Sequence, residues 1–162
     1  MKAAAIGLIV LVLVAGGTLG YALFSTNLAV TAKGLQVLPA RDRAAEFEAL
    51  RLSARQKSLL GTLLKSGEWG GAEDYSFYLY SLRLKNNGLV PAEMVEMQIS
   101  PTPQDVLFYG AQEETVIPPG QTRDVWCVLL TEGQPTSVRD LYITYYLWGH
   151  PQKVRFTYDH GN

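Results

Sequence analysis

The residues on which chemistry would have to rest are few: two histidines, one cysteine and scattered carboxylates. His150 falls in an expected hairpin loop, His160 is third from the C-terminus, and Cys127 lies mid-strand between Trp126 and Val128. A metal site needs several ligands converging on one point, and these three do not form such a set. Cys127 reads as a small buried hydrophobe, because a nucleophilic thiolate needs a base or an electropositive setting that the sequence does not supply. Glu113 and Glu114 are adjacent, so on a strand they would point to opposite faces. Glu68, Glu73 and Asp74 share a loop without the calcium-binding EF-hand pattern. No glycine-rich phosphate loop and no Gly-x-Ser-x-Gly elbow occurs. The expectation is a protein with no catalytic residues, no cofactor and no metal, and not an enzyme.

Recognition is better represented than catalysis. Tyr75, Phe77, Tyr78 and Tyr80 share one expected strand, and Tyr142, Tyr145, Tyr146 and Trp148 another. Strand alternation puts Tyr142, Tyr146 and Trp148 on one face, and Leu141, Ile143, Tyr145 and Leu147 on the other, which reads as core. The first set, beside Tyr78 and Tyr80, is the candidate protein- or glycan-binding face, since amphipathic aromatics dominate recognition patches. The competing reading is cross-strand packing, or cover by a helix.

The elements that would position these residues are mostly strands. Leu28 to Val37 alternates across a Lys33-Gly34 turn signal, as a strand or extended stalk, and Pro39 ends it. Residues 41–56 are expected to be helical, with Ala44, Phe47, Leu50 and Ala54 on one face. Residues 59–64 read as a last helical turn or a short strand, and 66–74 as a loop. Strands are expected over 75–85, 95–99, 106–109, 125–130, 141–148 and 154–158. Asn86-Asn87-Gly88, Pro118-Pro119-Gly120 and Gly149-His150-Pro151-Gln152 supply turns. Residues 125–130 are apolar on both faces, as in a central strand. About seven strands at roughly ten-residue spacing form the pattern of an antiparallel sandwich.

The N-terminus has a different character. Residues 3–24 carry no charge, and 22 residues at the helical rise measure about 33 Å, enough to cross a bilayer core. A signal peptide's apolar region is usually shorter, about 7–15 residues, so an uncleaved anchor is expected. The alternative is a secreted form cleaved after Ala32, behind Val30-Thr31-Ala32. Lys2 favours a cytoplasmic N-terminus, against the pull of Lys33, Arg41 and Arg43. Gly16 and Gly20 have the spacing of a helix-dimer face, although such pairs are common in membrane segments.

Charge divides the remainder. The 162-residue chain has a formal net charge of −1, which gives no argument for nucleic acid. Lys33 to Lys65 nevertheless carries seven basic residues against three acidic ones, so this stretch is a candidate for contact with anionic lipid headgroups. The residues from Ser66 onward are net acidic. With one cysteine no internal disulfide can form, and the fold must rest on its core.

The order Leu84-Lys85-Asn86-Asn87-Gly88, an alternating strand Val95 to Ile99, and Pro119-Gly120-Gln121-Thr122 before an apolar strand resembles the bacterial extracytoplasmic immunoglobulin-like modules of the cell-adhesion-related (CARDB-like) kind. The resemblance covers about residues 75–158 and implies adhesion, assembly or scaffolding. The expected organisation is an anchor over 1–27, a membrane-proximal strand and helix over 28–65, and an immunoglobulin-like β-sandwich body over 66–162. The expected role is a single-pass, membrane-anchored interaction or scaffold module of the cell envelope, with its C-terminal domain extracytoplasmic. A structural subunit of an envelope assembly is the alternative.

Overall fold

The computed structural model describes residues 2–24, 28–56, 61–65, 67–110, 115–133 and 138–159. Helix α1 runs from Lys2 to Phe24. Its side chains are described from Ile6 to Tyr21, and among the described residues no helix is long and apolar enough to cross a membrane.

Strand β1 (Leu28–Pro39) leads through a 3-10 turn (Ala40–Arg43) into α2 (Ala44–Arg55). Seven more strands follow: β2 (Thr62–Leu63), β3 (Tyr75–Asn86), β4 (Glu93–Ile99), β5 (Asp105–Gly110), β6 (Thr122–Glu132), β7 (Val138–Leu147) and β8 (His150–Asp159). They form a five-stranded sheet in the order β1-β3-β6-β5-β2 and a three-stranded sheet in the order β4-β7-β8, antiparallel throughout. β1 and β2 thus belong to the sandwich, as the two edges of its larger sheet.

Alternation builds the core between the sheets. Tyr80, Leu82 and Leu84 of β3 and Cys127 and Leu129 of β6 meet Val95 and Met97 of β4 and Leu141, Ile143 and Tyr145 of β7. The opposite face of the large sheet has its own cover. Phe47 of α2 is fully buried there against Trp69 and Tyr75, with ring centroids 5.9 and 5.1 Å away. Leu50 and Ala54 pack beside it, whereas Ala44 and Leu52 are exposed. β6 is apolar on both faces because it has a core on each side.

The turns differ from the expected ones in three places. β1 passes straight through Lys33-Gly34, with Gly34 over Ser81 of β3, where an added Cβ would require the Ser81 hydroxyl to turn away. Asn86-Asn87-Gly88 is no positive-φ hairpin. It is organised by the buried Asn86 side chain, whose Oδ1 accepts from Gly88 N while Nδ2 donates to Val90 O and Ile117 O, each at 2.8 Å. The last hairpin turns at Trp148-Gly149, with φ +52° and +75°, the backbone of a two-residue type I′ turn; His150 already begins β8.

Register defines two ends. Leu28 pairs with Asn86, Asn86 N donates to Gln121 O, and Glu93 pairs with Tyr146. The start of β1, residues 87–92, the Pro118–Gly120 turn and the β7–β8 hairpin therefore share one end, the proximal end. Pro39, the 3-10 turn that follows it and the start of β7 lie at the other.

Toward the distal end a buried ion pair joins the sheets. Arg139 of β7 donates from both terminal nitrogens to the two carboxylate oxygens of Asp105 on β5, each at 2.8 Å, with neither side chain more than 1% exposed. Asp105 also accepts from Thr131 Oγ1 and from the Thr102 backbone and hydroxyl. Removing one partner strands a buried charge, so Arg139→Met should cost about 3–5 kcal/mol in equilibrium denaturation of the full chain. Adding Asp105→Leu should recover most of the loss. A single variant within about 1 kcal/mol of the parent would show the pair to be solvated.

Candidate functional site

The outward face of the three-stranded sheet is the one large sheet surface without an apolar layer over it among the described residues. The larger sheet turns one face to the inter-sheet core and has most of the other under α2 and Trp69. The outward face is built from alternate positions of its three strands: Glu96 and Gln98 of β4, Tyr142, Thr144 and Tyr146 of β7, and Lys153, Arg155 and Thr157 of β8.

Polar contacts hold this face flat. Lys153 Nζ stands 4.0 Å above the Tyr142 ring, a cation–π contact that fixes the ring against the sheet. Arg155 donates to Asp140 Oδ2 at 2.7 Å and Thr157 to Oδ1 at 3.0 Å. The Arg155 hydrogen bond is the main cause holding the Asp140 carboxyl below its ordinary range. Nearer the proximal end the face turns apolar. Tyr146 pairs with Pro151, and a register irregularity between Glu93 and Glu96 carries Met94 at φ +50°. Met94, Tyr146, Pro151 and Lys153 border a shallow depression of about 340 Å³.

Of the five residues expected on a binding face, the structure brings Tyr142 and Tyr146 together there. Trp148 leaves the strand, lies at the hairpin tip at the proximal end and is 62% exposed. Tyr78 and Tyr80 are corrections: they are 4% and 0% exposed and point into the inter-sheet core, where Tyr80 meets Tyr158 edge-on at 5.6 Å. The smaller sheet covers this face of β3, and burial raises the Tyr80 phenol pKa. Met94 was missed because a strand pattern does not show a bulge. Trp126 was missed because its neighbours Val125 and Cys127 read as core; it is exposed on the part of the large sheet that α2 leaves bare.

The chemistry-bearing residues stay apart. Cys127 is buried in the inter-sheet core, and burial pushes its thiol up to about 12. His150 is exposed at the start of β8; His160, Glu113 and Glu114 lie outside the described residues. Among the described residues no group of three or more His, Cys, Asp or Glu is placed to hold a metal ion.

No protein-family model matches the chain, and no curated protein matches it. Among solved structures, the FixG-related protein from Vibrio parahaemolyticus is 11% identical, with a TM-score of 0.36 over 82% of this chain and 100% of that one. The cupredoxin domain of amoB from Nitrosocaldus yellowstonii is 9% identical, with a TM-score of 0.38 over 85% of this chain and 88% of that one. At these scores neither likeness carries an argument about function.

Two predictions follow from this geometry. Cys127 should resist a maleimide at pH 8 in the native chain and react once denaturant is added. Its raised pKa also means that, between pH 9 and about 12, the unfolded thiol loses its proton while the folded one keeps it. Its contribution to stability should therefore decline across that window. For the hairpin, Trp148 occupies a left-handed position that Asn or Gly takes more easily. Trp148→Asn should therefore raise stability by up to about 1 kcal/mol in chemical denaturation. A sharp loss of stability would instead place Trp148 in packing that its exposure does not show.

Proposed function

We propose that this chain is a membrane-anchored, immunoglobulin-like interaction or scaffold module of a cell envelope, with α1 in the cell membrane and the sandwich outside the cytoplasm. The observation that carries this reading is the apolar helix without an apolar partner. Side chains from Ile6 to Leu19 of α1 are exposed, while among the described residues both buried cores draw on residues from β1 onward. A helix that is apolar all round needs a core or a lipid environment. Its uncharged length, residues 3–24, corresponds to about 33 Å of helix. Thr18, a polar residue within it, keeps its hydroxyl bonded to Val14 O at 2.9 Å and Ala15 O at 3.0 Å, as suits a medium without water.

The immunoglobulin-like part of the reading rests on strand order. With β2 set aside, β1-β3-β6-β5 facing β4-β7-β8 is the A-B-E-D and C-F-G arrangement of constant-type domains. Two hallmarks of antibody domains are missing: Cys127 is the lone cysteine, and the third strand of that order, β4, carries Met97 and no tryptophan. The module would bind through Tyr142 and Tyr146, with Met94 beside them. No catalytic role is proposed.

Cleavage after Ala32 is disfavoured. Residues Leu28 to Ala32 pair with β3, and a cut there would strip them from the edge of the sheet. Headgroup contact by the whole basic segment is disfavoured too, because β1 carries Arg41 and Arg43 about 36 Å from Leu28 at the strand rise.

The test is protease added to intact protoplasts that express the full chain. The sandwich should be degraded and α1 retained in the membrane after carbonate washing. Full protection of the sandwich, or a released form beginning at Lys33, would overturn the reading.

A further inference from the structure

Resting on the anchored reading, we infer that the proximal end of the sandwich is a second lipid-contacting surface, with Leu89 and Trp148 seated in the interfacial layer of the bilayer that holds α1. The chain itself sets the distance. From Phe24 to Leu28 is four residues, which span at most about 14 Å. Leu28 pairs with Asn86, so the last turn of α1 is tied closely to the proximal end and to no other part of the sandwich.

That end has the composition of an interfacial surface. Its described connections, residues 87–92, 115–121 and 148–149, contain no charged side chain. Charges border these connections: Lys85, Glu93 and Arg123 belong to strands, and Glu113 and Glu114, which precede Thr115, lie outside the described residues. The opposite end carries Arg41, Asp42, Arg43 and Asp74, together with the Lys65–Glu132 ion pair.

Exposure points to two residues, and backbone strain to one of them. Leu89 and Trp148 are each 62% exposed. They project from loops built rigidly behind them: the first by the Asn86 side chain, which bonds both Val90 and Ile117, the second by the two-residue turn at the end of β7 and β8. Trp148 holds a left-handed backbone at φ +52°, where a bulky residue is disfavoured. Tryptophan is also the side chain most at home at a membrane–water interface, with its ring in the acyl boundary and its N–H among the headgroups. A rigid tip carrying that residue would dock the sandwich against the membrane and turn the Tyr142–Tyr146 face sideways, where a partner on the same membrane can reach it.

The test uses the full chain in phosphatidylcholine vesicles. Cys127 is buried, so Leu89→Cys, Trp148→Cys and, at the distal end, Val138→Cys each introduce one reactive thiol for an environment-sensitive fluorophore. A stoichiometry of one label per chain confirms that each variant is folded, because unfolding would expose Cys127 as well. The label at 89 and at 148 should shift to shorter wavelength, be quenched by nitroxide-bearing lipid and lose accessibility to iodide. The label at 138 should behave oppositely. If all three are quenched equally by iodide while the protein floats with the vesicles through carbonate, the proximal end does not touch lipid and the inference fails, although the anchor stands. If the protein does not float with the vesicles, the anchored reading fails and the inference with it.

Discussion

Along the distal part of β3 and β6, in the middle of the five-stranded sheet, side chains are covered on both faces. Inward-facing residues are covered by the smaller sheet, and the outward-facing ones there by α2 and Trp69, while Arg83, Lys85, Asp124 and Trp126 nearer the proximal end stay exposed. This two-sided burial decides which parts of the molecule are available for anything else. It removes Tyr78 and Tyr80 from the surface, seats Phe47 with Leu50 and Ala54 on the buried side of α2, and, among the described residues, leaves the outer face of β4-β7-β8 and the patch around Trp126 open. The Asp105–Arg139 pair works within the same constraint. Two charges can sit between apolar layers because they pair through two hydrogen bonds and Thr102 and Thr131 take up further lone pairs of the carboxylate, although Arg139 Nε stays buried without a hydrogen bond.

Much of the scaffold was legible from local pattern. The alternation from Leu141 to Leu147 separated core from surface correctly at every position, and Phe47, Leu50 and Ala54 marked the buried side of α2. What was not legible depends on partners distant in sequence. Alternation shows that Tyr78 and Tyr80 share a face but not what covers it. Asp105 and Arg139 are 34 residues apart, and neither shows by its neighbours that it will be buried. Gly34 looked like a turn residue because its pairing with Ser81, on another strand, does not show in its own neighbours. The hairpin tip was displaced by two residues because tryptophan is a poor signal for a left-handed turn position.

The candidate surface was legible only in part, for a related reason. Strand period identifies Tyr142 and Tyr146 as neighbours, and the structure adds the Lys153 contact that holds Tyr142 against the sheet. Met94 enters through an irregular β4–β7 pairing, which is a property of two strands together. Trp148 changes character altogether: continuing the strand by one residue would have left it on the flat face, and the turn moves it to the end of the sandwich.

The long pairing of β1 with β3 has a mechanical side. α1 enters the sandwich through Leu28, and eleven paired positions follow before the chain leaves the sheet at Pro39. A pull on α1 directed along β1 loads those backbone bonds together, in shear, and the sheet resists as a unit. A pull directed across the sheet opens them one rung at a time from Leu28. The same strand would therefore act as a firm tether or as a zipper according to the direction from which tension arrives.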